Sequence, residues 1–453
     1  MTLIDRLRQS GEDLGLLTET GDKASYLADG TRREGSEPSI VIRPKTTASV
    51  SFALKTCHEF RQPVALQGGL TGLSGGARPR AGEVVLSLER MSALEAVDQE
   101  DASVIAEAGV SLQAVQEAAD RADLMVGVDI GARGSATIGG AISTNAGGIR
   151  VLRYGMFREQ VTGVEVVLAD GTIVSSMRGL AKDNTGLDLR HLVIGTEGTY
   201  GVVTRARLRL HPKPSFSRNA LCAVSSADGA MDLLKHMRGA LGPTLSAFEG
   251  IWPETYEGAA TFCGIRPLET GAELYVLLEM QGFGNASNPE ALEDALMKAC
   301  DKGLCSDCVV SQSGRDFDNI WAVREACPEY TFSLGRLRGH DISLPPQRIR
   351  KFVEVARREI ARIDPGATVH IYGHLGDGNL HFILNSGVPD QVSPAIYRLA
   401  AEFGGTISAE HGVGFDKTPY LPLVRSEKEI DLMRRVKQVL DPEGLLNPGR
   451  IFS

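Results

Sequence analysis

Two short stretches hold the residue types best suited to chemistry. VHIYGHLGDGNLHFIL, residues 369–384, carries His374 and His381 on either side of LGDGN, a run of turn-forming residues. A β-hairpin there brings both imidazoles to its mouth. SAEHGVG, residues 408–414, places Glu410 directly before His411. Imidazole and carboxylate are ligands for a borderline divalent ion, and an imidazole that titrates near neutral pH can carry a proton. Two separate loops thus supply three side chains able to hold a metal and one more able to act as a base. A lone histidine is more often packed or solvated than a ligand. For two that share one Gly/Asp/Asn turn, the bland alternative is a tight surface hairpin.

The elements around these stretches read as a layered α+β domain. HDISLPP is a short strand ended by prolines, and QRIRKFVEVARREIARID is a long amphipathic helix that leads into the hairpin. Upstream, ALCAVSS, ELYVLLEMQG and CVVSQS read as strands. They alternate with the helical runs ADGAMDLLKHMRGAL and PEALEDALMKACD, which is the texture of a ferredoxin-like sheet covered by helices. WAVREACPEY, residues 321–330, reads as helix. EKEIDLMRRVKQVL is an amphipathic helix closed by the turn at Pro442 and Gly444.

The first half of the chain has a different texture. MTLIDRLRQSGEDLG reads as a short amphipathic helix rather than a signal peptide, since it carries acids and lacks a long apolar core. PSIVIRPKT, SVSFALKTCHEF and PVALQGG then give strand, helix and strand. GGLTGLSGG, residues 68–76, has five glycines in nine residues, so several backbone N–H groups can converge on an anion such as a diphosphate with no Cβ in the way. It is neither a Rossmann fingerprint nor a Walker A loop, because spacing and partner residues are missing. From Gly131 to Gly148 small residues almost exclude bulky ones, which suits a backbone surface laid against a flat cofactor; close Gly/Ala packing is the plain alternative. VTGVEVVLADGTIVSS reads as a hairpin around Asp170-Gly171. LVIGTEGTYGVVTRARLRL reads as a further pair of strands. Arg205, Arg207 and Arg209, spaced by two, form one solvated strand face.

Composition sets the class. The 453 residues call for two or three domains, and 42% hydrophobic with 23% charged content is that of a globular protein. A net charge of −9 argues against nucleic acid as a partner. No stretch approaches the roughly 18 apolar residues of a membrane span. Seven cysteines, an odd number, make no disulfide framework. Cys300, Cys305 and Cys308 cluster, and CSDC is a CxxC, but no second CxxC or nearby histidine completes a zinc site. They read as reduced thiols of a cytoplasmic protein, with local metal binding as the alternative.

Eight motifs, QGGLTGLSGG, GARGSATIGGAISTNAGG, RYG, LADGT, KDNTGLDLRHLVIGTEGTYGVVT, GHLGDGNLH, SAEHGVG and LDPEGLLNPGRI, occur in the same order as in a known family. Over residues 35–452 the chain resembles the FAD-linked D-2-hydroxy acid dehydrogenases of the vanillyl-alcohol oxidase superfamily, the type that includes D-2-hydroxyglutarate and D-lactate dehydrogenases. The resemblance implies an α+β fold with a two-subdomain FAD-binding domain at 35–213, after a helical lead-in at 1–34. A ferredoxin-like cap domain at 214–405 carries the metal hairpin, and a C-terminal segment at 406–453 returns to the FAD domain. FAD is then held by Gly68, Gly69, Leu70, Thr71, Gly72 and Leu73, by Ser135, Gly139, Gly140, Thr144, Gly147 and Gly148, and by Glu197, Gly198, Val203 and Asn447. Some relatives attach FAD through histidine or cysteine. Neither occurs between Ala65 and Thr185, which implies a non-covalent flavin.

By the same resemblance His374, His381 and Glu410 are ligands of a divalent metal, zinc before manganese or iron. His411 is the base beside flavin N5, and Arg324 clamps the substrate carboxylate. The chain departs from the 2-hydroxyglutarate enzymes where they carry a lysine before the DISLP-like strand; here Gly339 and His340 stand before Asp341. Ile383 stands where an asparagine is expected after the second histidine. The expectation is a D-2-hydroxy acid whose far end differs from that of 2-hydroxyglutarate or is held by Arg336 or Arg338, with His340 a further candidate. Electrons pass to an external acceptor: an electron-transfer flavoprotein, a quinone or a cytochrome. A metallohydrolase, or a nucleotide-binding protein without catalysis, is the competing class.

Overall fold

The computed structural model describes every residue except 285–287, 336 and 453. Two compact units form: Met1–Gly147, Gly155–Pro212 and Glu410–Ser453 make the first, and Gly148–Tyr154 with Lys213–Ala409 make the second.

In the first unit a three-stranded parallel sheet runs in the order Val41–Ile42, Val84–Ser87, Val64–Gln67, and helix Thr47–Glu59 makes the crossover. A four-stranded antiparallel sheet follows in the order Ser103–Glu107, Val202–Arg209, Val161–Val167, Ile173–Ser176. The hairpin at Asp170-Gly171 forms as its sequence predicts, with Leu168 N–H donating to Thr172 O at 2.9 Å and Gly171 at φ +87°. Arg205 and Arg207 sit on one strand face and pair with Glu95 and Asp101. The N-terminal segment is no separate lead-in: Leu7 and Leu14 bury in the same core as Ile42, Val50 and Leu54. LVIG is not a strand either. Arg190–Val193 is a short helix, and Val193 and Ile194 close the second core from there.

The second unit is built on one seven-stranded antiparallel sheet. Its strands are β1 (Phe216–Val224), β2 (Leu245–Ile251), β3 (Leu274–Gly282), β4 (Asp307–Val310), β5 (Leu337–Ser343), β6 (Thr368–Gly373) and β7 (Asn379–Asn385), in the order β4-β1-β3-β2-β6-β7-β5. Helices α1 (Ala227–Leu241), α3 (Ala291–Asp301), α5 (Ile349–Ile363) and α6 (Pro389–Glu402) cover one face, and α2 (Pro253–Cys263) and α4 (Gly314–Ser333) the other. The order β4-β1-β3-β2, with α1 and α3 as connections, is one ferredoxin-like half. β5-α5-β6-β7-α6 begins a second, and a bridge from Ser343 to Thr406 stands where its fourth strand would pair.

The halves join through their second strands, where Gly250 pairs with Gly373 and Ile251 with Tyr372. Both glycines are required by the closeness of the seam: a Cβ on Gly250 would lie 2.4 Å from Leu375, and one on Gly373 would lie 2.4 Å from Asn379 O. The segment Gly148–Tyr154 belongs to this unit because Arg150 pairs with the buried Glu279 at 2.9 Å and Tyr154 Oη donates to Gln281 at 2.7 Å. A reading of local pattern passes over β2 and α2, although β2 is buried along its whole length.

Candidate functional site

The hairpin β6–β7 pairs in the register Tyr372 to His381, and His374 leaves the end of β6 into the turn. Their ring centroids stand 5.2 Å apart, nearly perpendicular. Each imidazole has a carboxylate at Nδ1. Glu249 of β2, one residue from the Gly250 seam, lies 2.8 and 2.9 Å from His374 Nδ1 through its two oxygens. A carboxylate can only accept, so His374 carries a proton on Nδ1, which leaves Nε2 as its candidate ligand atom. Asp341 of β5, directly across from His381, stands 3.6 Å from His381 Nδ1. This pairing of a histidine with a carboxylate behind it is the usual support of a metal-binding imidazole.

Glu249 also accepts from Arg324 Nε of α4 at 2.8 Å, and the Arg324 guanidinium lies 4.8 Å over the Tyr372 ring. Burial alone would push the Glu249 carboxyl up, yet His374 and Arg324 beside it hold it below the usual range. Asp377, in the hairpin turn, is pushed up to about 6 by burial. Asp341 divides its oxygens: one accepts from Asn379 Nδ2 at 2.8 Å, the other from Ala409 N–H at 3.2 Å. Glu410 follows Ala409 directly. With His374 and His381 it completes the candidate ligand set of two imidazoles and a carboxylate; Glu410 and His411 belong to the other compact unit. Two imidazoles and a carboxylate suit zinc, manganese or iron.

Other sequence candidates fall elsewhere. Strand β5 alternates faces, so Gly339 and Asp341 share the side of His381 and Ile383 while His340 points the other way. His340 is fully buried there, at 2.9 Å from Ser393 Oγ and edge-on to Tyr397. Arg338 pairs with Asp390 at 2.9 Å on the helix-covered side. Arg336 lies outside the described residues. Glu249 was not singled out from the sequence; its signal was one acid inside an otherwise apolar run.

In the first unit the N–H groups of Gly69, Leu70, Thr71, Gly72 and Leu73 donate to no backbone or side-chain acceptor among the described residues. A cluster of such donors is what a diphosphate needs. The loop presses against the segment of Ser135, since a Cβ on Gly69 would fall 1.8 Å from Ser135 O. Thr137 caps the helix Ile138–Thr144, whose Gly139 packs on Ala108, and Thr144 Oγ1 donates to Gly140 O at 3.0 Å. Gly148 stands at φ +135°. Asn447 accepts from Leu66 N–H at 2.8 Å and donates to Glu197 O at 2.7 Å. The Glu197 carboxylate accepts from Val413 N–H at 2.6 Å and Gly414 N–H at 2.9 Å, and burial pushes it up. The side chains of Glu197 and Asn447 therefore hold loops, including the one that carries His411. A Cβ on Gly198 would strike Leu66, and Val203 lies in the core.

The donor loop fits a dinucleotide, and comparison with known proteins agrees. Residues 38–176 match the family "FAD binding domain", and 213–451 match "FAD linked oxidases, C-terminal domain". The chain is 37% identical to a mitochondrial D-2-hydroxyglutarate dehydrogenase of Bos taurus, covering 96% of this chain and 81% of that protein. It is 38% identical to a D-2-hydroxyglutarate dehydrogenase of Xanthomonas citri pv. viticola, covering 99% and 96%. Among solved structures, p-cresol methylhydroxylase superposes with a TM-score of 0.77 at 18% identity, covering 99% of this chain and 96% of that one. Alkyldihydroxyacetonephosphate synthase gives 0.75 at 14%, covering 98% and 84%. These two show the shared fold.

Proposed function

We propose that this chain, which belongs to the FAD-linked D-2-hydroxy acid dehydrogenases on a vanillyl-alcohol oxidase-type fold, oxidises a D-2-hydroxy acid to its 2-oxo acid with a divalent metal and His411 assisting. The observation that carries the metal part is the pair of imidazoles with a carboxylate at each Nδ1.

Non-covalent FAD, when bound, supplies the acceptor for the hydride that leaves the α-carbon. A divalent ion, when held by His374, His381 and Glu410, supplies the Lewis acid that lowers the hydroxyl pKa. Arg324 spends Nε on Glu249 and keeps the rest of its planar fork for the substrate carboxylate. His411, as a neutral imidazole, takes the hydroxyl proton. Glu197 holds the His411 loop by its backbone at Val413 and Gly414. Reoxidation by an electron-transfer flavoprotein, a quinone or a cytochrome, and a cytoplasmic location, belong to the same reading.

The substrate's far end divides two readings. The relatives' names favour D-2-hydroxyglutarate. The side of the sheet shared by His381 favours a less polar group, because Gly339 and Ile383 face each other there and Ile383 packs on the apolar cluster of Tyr372 and Ile251. A site without polar partners discriminates against the group that needs them. We take the second reading.

The test is anaerobic. Yellow protein mixed with a D-2-hydroxy acid bleaches, acid precipitation leaves the flavin in the supernatant, and His411→Ala slows bleaching by about 10²–10⁴-fold with FAD still bound. Absence of bleaching across D-lactate, D-malate, D-2-hydroxyglutarate and longer apolar D-2-hydroxy acids would sink the proposal.

A further inference from the structure

CSDC looked incomplete as a metal motif because its partners are not local. Schellman geometry ends α3: Gly303 N–H donates to Cys300 O at 2.8 Å and Leu304 N–H to Ala299 O at 2.9 Å. The chain therefore doubles back and sets Cys305 beside Cys300, with the sulfurs 2.9 Å apart. Ser306 N–H then docks on Ala223 O of β1 at 3.0 Å, and β4 follows, with Cys308 directly opposite Cys222. Cys300 and Cys308 sulfurs are 3.9 Å apart, and the side chains of Cys222 and Cys308, directly opposite in register, share one face of the sheet. Four thiols from a helix end, a turn and two strands gather on the face of the sheet away from Glu249. Cys222 is fully buried and Cys305 nearly so, while Cys300 and Cys308 form the rim.

We propose that Cys222, Cys300, Cys305 and Cys308 form a tetrathiolate site for zinc(II), separate from the hydroxy-acid site. Tetrahedral zinc with Zn–S of about 2.3 Å puts sulfurs roughly 3.8 Å apart. The Cys300–Cys308 separation matches that edge, and the Cys300–Cys305 pair has to open by roughly 0.9 Å, within reach of side-chain rotation. Binding displaces four thiol protons and leaves a site of charge −2 with no change of oxidation state.

A disulfide between Cys300 and Cys305 uses two sulfurs and leaves Cys222 and Cys308 unexplained, whereas one tetrahedral ion uses all four.

Flavin-loaded protein from zinc-supplemented growth, purified with reductant and no chelator, is the sample for the test. X-ray absorption at the zinc edge is expected to show a sulfur shell near 2.3 Å, which a His/Glu site with its shorter nitrogen and oxygen bonds does not give. Cys308→Ser is expected to lose that shell and about one zinc per chain, with flavin content and anaerobic bleaching unchanged. Should Cys308→Ser not fold, Cys300→Ser at the rim and the wild-type spectrum decide. Zinc-replete wild type without a sulfur shell overturns the proposal, as does peptide mapping that finds Cys300 bonded to Cys305 in the absence of any sulfur-bound zinc.

Discussion

The two histidines of the hairpin are supported by carboxylates of unlike origin. The partner of His374, Glu249, comes from the other half of the sheet, meets the ring through both oxygens and is itself fixed by a buried arginine. The partner of His381, Asp341, comes from the adjacent strand, stands 3.6 Å off and spends its oxygens on Asn379 and Ala409. One side of the site is thus a rigid charged triad, Arg324–Glu249–His374. The other is looser, opens onto Gly339 and Ile383, and is tied to Ala409, the residue before Glu410. We read the first side as the one that fixes a ligand's orientation and the second as the one that admits variety in what is bound.

Breaking the rigid side has the largest expected effect. Glu249→Ala leaves Arg324 buried without its partner, and loss of one member of a buried ion pair costs about 3–5 kcal/mol. Denaturant titration of metal-stripped protein reads that loss directly. If the variant is as stable as wild type, the triad does not hold the seam between the halves.

On the looser side Asp341→Asn keeps the shape and removes the charge. The expected outcome is a 10–100-fold drop in metal affinity, typical of a lost partner behind a ligand histidine, with a loss of about 1–3 kcal/mol in stability because either Asn379 Nδ2 or the Ala409 N–H loses its acceptor. Competition with a chelator measures it. Equal affinity would mean that 3.6 Å is too far for Asp341 to orient His381.

Acid sharpens the contrast by a smaller amount. Glu249 titrates below its ordinary value when folded, so it contributes stability that is present above the unfolded value of about 4.3 and is lost as pH falls through the lower folded value. Wild type should therefore lose stability below about pH 4.3 more steeply than Glu249→Gln. Parallel acid limbs in the two proteins would remove Glu249 from the account.

The same contrast explains what could be read from the chain. His374 and His381 were legible because two-residue alternation and a Gly/Asp/Asn turn lie within one hairpin, whereas Arg324 was named only through the family resemblance of WAVRE. Glu249 was not, because its meaning depends on the pairing of Gly250 with Gly373, a contact between distant stretches that no local period encodes. Strand β2 itself is followed at once by Trp252 and Pro253, which blurs its end. Cys222 was hidden for the same reason, inside a run that reads only as a buried strand. Segment 148–154 looked like part of the glycine-rich surface, and only Glu279 on β3 shows why Arg150 belongs to the second unit.

The smallest effect expected is on selectivity. Ile383 and Gly339 face each other on the looser side, and a Cβ on Gly339 would lie 3.5 Å from Ile383 Cδ1, so the two positions share one small space. Ile383→Asn places a smaller side chain with an amide there. It can donate to a carboxylate at the far end of a substrate, and it leaves Arg324, His374 and Glu249 on the rigid side untouched. The expected outcome is a shift of roughly tenfold, about 1.4 kcal/mol, in the ratio of kcat/KM for D-2-hydroxyglutarate to that for an apolar D-2-hydroxy acid, with the rate of flavin reduction at saturation little changed. If the ratio stays where it was while both rates fall together, Ile383 supports the hairpin and does not face the substrate. Selectivity would then have to lie with groups other than the pair Gly339 and Ile383.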